Sequence, residues 1–237
     1  MLSNKFKKNG FLVFQDLFSV NEINEMRETI FEHFKIDIKN HNFSERARFQ
    51  NIAPASFDKY INSKKLLKLI SEICGEPVDP FRHNDIHIDQ GGGVFHRDAA
   101  ERKFGKGDSW SDPEYKIFRV AIYLSSYEQS GSSLYIIPGS HKNENLLLWL
   151  RYKIFNKIWN VLRKKNKVFK LPHSLLFPSV KKIKTNPGTT VVFDPRLIHA
   201  GGHLFGDNPK LAIFLSFAVN NHQSKAYLRW LSSNGNY

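Results

Sequence analysis

Ile86-His-Ile-Asp-Gln-Gly-Gly-Gly-Val-Phe-His-Arg-Asp98 is the stretch on which the fold turns. Ile86-His-Ile88 alternates as a one-sided strand does, Gly91-Gly-Gly93 breaks the chain, and Val94 restarts it. Downstream, Phe118 to Leu124, Leu134 to Ile137, Thr189 to Phe193 and Leu211 to Val219 are further strand candidates, rich in β-branched and aromatic residues. Upstream the pattern is helical. Phe11-Leu-Val-Phe14 reads as a short strand, and Ser19-Val-Asn-Glu22 is a capping box opening a helix with Ile23, Met26, Ile30 and Phe34 on its apolar side. Ser63 to Cys74 reads as a second helix, stopped by Gly75 and Pro77. Helices first and then many strands, without helices between them, predict an α+β chain built on an antiparallel sandwich or barrel. A length of 237 residues suits one domain, 1–237.

The opening stretch also carries chemistry. It lies among three His-x-Asp triplets: His83-Asn-Asp85, His87-Ile-Asp89 and His96-Arg-Asp98. Residues i and i+2 of a strand point to one face, so an imidazole and a carboxylate can reach the same ion. A second histidine from a distant strand would complete a facial triad and leave positions open for O₂ and a chelating cosubstrate. His199, in Val191-Val-Phe-Asp-Pro-Arg-Leu-Ile-His-Ala-Gly-Gly202, is the best such residue. The single cysteine, Cys74, excludes an intrachain disulfide and a cysteine zinc cluster, so a metal here needs His and carboxylate ligands. Spacing alone does not choose among the three triplets.

Taken in order, Gly10-Phe-Leu-Val13, His96-Arg-Asp98, Pro138-Gly-Ser-His141, Phe193-Asp-Pro-Arg-Leu-Ile-His199 and Lys210 resemble the phytanoyl-CoA dioxygenase (PhyH-like) family of Fe(II)/2-oxoglutarate-dependent oxygenases. The likeness runs from about Gly10 to Val219. It implies a double-stranded β-helix, a jelly-roll or cupin-like barrel, with N-terminal supporting helices, and the use of Fe(II), 2-oxoglutarate and O₂. In the family the metal pair follows a turn after the first barrel strand, which favours His96 and Asp98, with His199 as the third ligand. The resemblance puts Lys210 where relatives usually carry an Arg for the far carboxylate of 2-oxoglutarate. A lysine offers a point charge there instead of a fork. The retained carboxylate of Asp98 implies hydroxylation and not halogenation. Relatives use the Pro138–His141 turn structurally, so His141 is left out of the metal site, and Gly201 stands where relatives often carry a hydroxyl.

Arg119, Ala121 and Tyr123 share one face of the Phe118–Leu124 strand, and if that face meets the iron, Arg119 and Tyr123 are cosubstrate contacts. The loop from Ala99 to Tyr115, directly after the metal pair, is placed to close over substrate.

The formal charge of +13 calls for an anionic partner or substrate, a small or lipid-linked molecule. Between Lys142 and Lys184 there are twelve Lys/Arg and one acid, Glu144, which marks 142–184 as a basic, helical insertion. Leu148, Tyr152, Phe155, Trp159 and Leu162 recur there at helical spacing among basic residues. Such a stripe packs into a core or lays residues 146–169 on an anionic membrane surface. No apolar run approaches the roughly 20 residues of a membrane span, and the N-terminus lacks a signal peptide's apolar stretch. Cytoplasmic residence, with peripheral membrane contact through that segment, is the expectation. Two other functions fit parts of the pattern: an inactive barrel that binds an anionic partner, and an oxidative nucleic-acid demethylase. The second usually shows an Arg-x-Asn-x-x-x-Arg-like ending after the distal histidine, which this sequence lacks, so nucleic acid is not expected as a partner.

Overall fold

Helices lead and strands follow in the computed structural model, which describes residues 1–35, 45–48, 55–89, 94–98, 112–142, 146–165, 179–205 and 208–233. The elements in order are α1 (Leu2–Asn9), β1 (Phe11–Phe14), α2 (Val20–Phe34), β2 (Glu45–Arg48), α3 (Ala55–Ile61), α4 (Lys64–Cys74), β3 (Asp79–Ile88), β4 (Ile117–Tyr123) and α5 (Tyr127–Ser130). Then come β5 (Ser133–Ile136), α6 (Leu146–Lys165), β6 (Lys181–Lys184), β7 (Thr190–Phe193), β8 (His199–Gly201), β9 (Leu211–Ala218) and α7 (His222–Ser233). The capping box at the start of α2 forms in both directions, Ser19 hydroxyl with the Glu22 amide and Glu22 carboxylate with the Ser19 amide. Gly75 ends α4 at φ 87°, a left-handed conformation that costs glycine little.

Among the described residues, nine strands form two antiparallel sheets, a six-stranded one in the order β1-β7-β4-β9-β3-β2 and a three-stranded one in the order β6-β5-β8. Facing each other, they make the jelly roll. Period-two alternation decides what each face meets. Phe118, Val120, Ile122 and Leu124 turn toward the helices and pack with Ile23, Met26, Ile30, Leu66 and Ile70. Ala121, Tyr123, Ala212 and Phe214 turn inward and meet Leu134 and Ile136 of the small sheet. Each fully buried aliphatic or aromatic side chain contributes roughly 1.5–3 kcal/mol. A one-residue slip of β4 would therefore lose several of these and drive Arg119 against the helices, which fixes the register. The outer face of the small sheet is covered in turn: Ile137, Ile198 and Ala200 pack with Phe95 and with Phe155 of α6.

Several elements depart from the sequence reading. The N-terminal residues, to which the sequence reading assigned no element, form helix α1, anchored by buried Phe6. The 142–184 segment is helical only over Leu146–Lys165 among its described residues, and its last four form strand β6, paired with β5. Lys181, Lys182 and Lys184 are exposed there while Ile183 tucks inward, so the lysines shield a sheet edge. Residues 99–111 of the expected covering loop, the Gly91–Gly93 turn and the Trp159 side chain lie outside the described residues.

Candidate metal centre

His96 and His199 sit directly opposite each other. Each backbone amide donates to the other's carbonyl at 3.0 Å, so the segment from Val94 continues the small sheet beyond β8. Both rings are oriented identically from behind: His96 Nδ1 donates to the Val94 carbonyl and His199 Nδ1 to the Leu197 carbonyl, each at 2.9 Å. A carbonyl can only accept, so these bonds place the proton on Nδ1 and make Nε2 the lone-pair atom that can ligate. Both Nε2 atoms lie 3.6 Å from the same oxygen, Asp98 Oδ1. The donor atoms of all three residues fall within 4.8 Å of one another. The two triplets left open by spacing do not converge in this way. The His83 ring meets the Tyr227 hydroxyl at 3.2 Å, and the His87 ring lies tilted against Phe214 with ring centroids 4.3 Å apart.

Electrostatics suit a cation. Burial, reinforced by the neighbouring His96, lowers the His199 pKa to about 4, so the ring is neutral at physiological pH. Asp98 stays well below the usual carboxylate range although burial pushes the other way, because His199, His96 and Arg119 outweigh it. With His199 neutral, the permanent positive charge among these is Arg119.

Arg119 is buried on the inward face of β4. Its guanidinium donates to Asp85 Oδ2 at 2.9 Å, to the Ser216 hydroxyl at 2.9 Å and to the His83 carbonyl, and its Nε lies 3.3 Å from Asp98 Oδ2. Arg119, expected as a cosubstrate contact, is held by these protein groups at the side of Asp98. The signal in the sequence was Asp85, read there only as part of a rival triplet. Tyr123 is buried on the same inward face, and burial holds its phenol neutral. Lys210 is buried just before β9, two residues ahead of inward-facing Ala212. Its amide donates to Asp89 Oδ1 at 2.7 Å while its carbonyl accepts from the Asp89 amide at 2.8 Å, extending the β3–β9 ladder. Burial lowers the Lys210 pKa to about 8, and Asp89 opposes the fall.

The Pro138–His141 turn ties the site's frame together. Ser140 Oγ accepts from the Ile198 amide at 2.8 Å, and the Ser140 carbonyl accepts from Arg97 at 3.0 Å. Gly10, at φ 81°, lets the His141 ring approach so closely that any Cβ would overlap it. Those contacts explain why the glycine near the start and the distant Gly-Ser-His belong to one pattern. A separate cavity of about 570 Å³, lined by Phe6, Cys74, Tyr115 and His141 among others, contains no triad residue. Its Lys116 and Arg196 are paired with Glu76 and Asp194.

Two histidines and an aspartate converging inside a jelly roll define the class of non-haem iron oxygenases. The chain belongs to the phytanoyl-CoA dioxygenase (PhyH) family, which its sequence matches over residues 6–210, and is an oxidoreductase. No curated protein matches the sequence. Solved structures share the fold at low identity. HygX from Streptomyces hygroscopicus, with nickel and 2-oxoglutarate bound, is 17% identical, with TM-score 0.68 over 91% of this chain and 85% of its own. The non-heme alpha ketoglutarate dependent epimerase SnoN from nogalamycin biosynthesis is 12% identical, with TM-score 0.64 over 92% of this chain and 79% of its own. EctD from S. alaskensis, with 2-oxoglutarate and 5-hydroxyectoine, is 17% identical, with TM-score 0.61 over 92% of this chain and 76% of its own.

Proposed function

We propose that this chain, as a single domain, is an Fe(II)- and 2-oxoglutarate-dependent dioxygenase that hydroxylates a small or lipid-linked, anionic organic substrate and releases succinate and CO₂. The observation that carries the reading is the shared 3.6 Å approach of His96 Nε2 and His199 Nε2 to one oxygen of Asp98. This donor set fits Fe(II): two neutral imidazoles and one anion on a single face, with ring protons tied off behind. Bound there, iron and O₂ would oxidatively decarboxylate 2-oxoglutarate, placing one oxygen atom in succinate and the other in the substrate's C–H bond.

The protein's own residues do the rest. Carbonyls of Val94 and Leu197 hold the two rings in their ligating tautomer. Arg119, itself fixed by Asp85, keeps Asp98 ionised and oriented, a positioning role. Lys210 supplies the cation for the distal carboxylate of 2-oxoglutarate, which cannot be buried without a partner. Neutral Tyr123, with Ala121 and Phe214, walls the same interior. His96 is the most exposed of the three donors, so substrate enters from its side. No helix among the described residues is long and apolar enough to cross a membrane. The reading places the protein in the cytoplasm, with the basic 146–169 segment in reach of an anionic membrane. Purified protein should convert 2-oxoglutarate to succinate only with Fe(II) and O₂. Succinate formation at an undiminished rate after strict removal of iron would refute it.

A further inference from the structure

α6 has two unlike sides. On one, Phe155 is fully buried and its ring meets Phe95 at 5.3 Å between centroids. Beside it the Asn156 amide donates to the Phe95 carbonyl at 2.7 Å and accepts from the Phe95 amide at 3.0 Å. At 3.6 residues per turn, Leu150, Ile154, Ile158 and Val161 fall within an arc of about 80° away from that anchor. These four aliphatic side chains are 41%, 53%, 40% and 50% exposed. Exposed Arg151 borders the stripe on one side, and exposed Lys153 and Lys157 border it on the other. The helix has six Lys/Arg and no acid.

A continuous aliphatic stripe facing water is unfavourable by itself and marks a surface that is covered in use. Its basic borders decide by what. A second copy of the chain would bring like charges together along both borders, whereas an anionic bilayer takes the aliphatics at its acyl boundary and the cations at its phosphates. We propose that α6 lies flat on an anionic lipid bilayer through Leu150, Ile154, Ile158 and Val161, with Arg151, Lys153 and Lys157 at the headgroups. The proposal rests on the oxygenase reading only for its purpose: Asn156 and Phe155 fasten the same helix to Phe95, the neighbour of His96. Docking thus holds the metal strand about one helix diameter, roughly 10 Å, from the bilayer, where a lipid-linked substrate can stay anchored.

The test is co-sedimentation of the full chain with phosphatidylcholine vesicles, pure or with about one quarter phosphatidylglycerol. Binding should require the anionic lipid and weaken as salt rises. Ile154→Ser with Ile158→Ser should lower partitioning about tenfold or more, and Lys153→Glu with Lys157→Glu should do the same, with circular dichroism unchanged. Three results would each overturn the proposal. The wild type fails to bind anionic vesicles; or the serine pair leaves binding intact, which would mean simple adsorption of a basic protein. In the third, the serine pair converts a dimer to a monomer in sedimentation velocity, so that a second copy covers the stripe. Succinate formation measured without vesicles fails or succeeds independently, so it separates the docking result from the oxygenase reading.

Discussion

At Lys210 the sign of the pH dependence follows from burial. Burial brings the loss of the Lys210 proton down to near pH 8 in the absence of 2-oxoglutarate, and a bound carboxylate favours the protonated form and raises that value. Affinity for 2-oxoglutarate should therefore be flat below about pH 8 and fall by up to about tenfold per pH unit above it. Lys210→Met should abolish this slope and lower affinity about a hundredfold or more, in keeping with roughly 3 to 5 kcal/mol for breaking a buried pair, while iron still binds. Calorimetric titration at several pH values checks both, and an unchanged affinity in the variant would move the anchor elsewhere. Asp85→Asn should weaken iron binding about ten- to a hundredfold without touching a ligand, because Arg119 loses the partner that fixes it behind Asp98. Of these residues, the convergence of His96, Asp98 and His199 was legible from motif order, as was the choice of Lys210 as the residue to test. The Asp85–Arg119 pair was not, since its members lie on β3 and β4, which are separated in the sheet by β9. Long-range pairing of that kind leaves no local period in the sequence.

Elements with strong periodicity were read well. β4, β7 and β9 begin and end within a residue or two of the sequence limits, because β-branched runs buried on both faces have sharp edges. The short or exposed ones were lost: β6 is three lysines and one isoleucine, and α7 follows the last motif with its apolar residues Tyr227, Leu228 and Trp230 packed on Phe81 and Tyr115. α6 was expected as a helix, with a stripe through Leu148, Tyr152, Phe155, Trp159 and Leu162. Of that stripe Phe155 is buried, and the other side chains lie outside the described residues. The aliphatic row on another side of the same helix went unnoticed, since a helix apolar on two sides shows no single clear period. Asn156 gives this element its own test. Asn156→Ala removes both bonds to the Phe95 backbone, so affinity for Co(II) used in place of iron should fall about tenfold, read from the metal's visible absorption. Asn156→Gln should not restore it, because the longer amide cannot span the same two groups. Wild-type affinity in Asn156→Ala would confine the residue to holding the helix.

Across the whole molecule, helices pack on the six-stranded sheet, that sheet faces the three-stranded one, and α6 covers the outside, so the metal donors end up between two sheets with Lys210 on the inner parity of β9. The α+β order and the barrel were legible as pattern. The division into two sheets and the closing turn at Pro138–His141 needed the contacts themselves. The +13 charge constrains only the company the molecule keeps. What the assembly does rests on one geometry, and an anaerobic crystal structure with Mn(II) in place of Fe(II) and with 2-oxoglutarate tests it most directly. One ion should lie about 2 Å from His96 Nε2, His199 Nε2 and an Asp98 oxygen, with the far carboxylate of 2-oxoglutarate against Lys210 Nζ. An ion held instead by His83 and Asp85 or by His87 and Asp89, or no ion between His96 and His199 at saturating metal, would contradict the account.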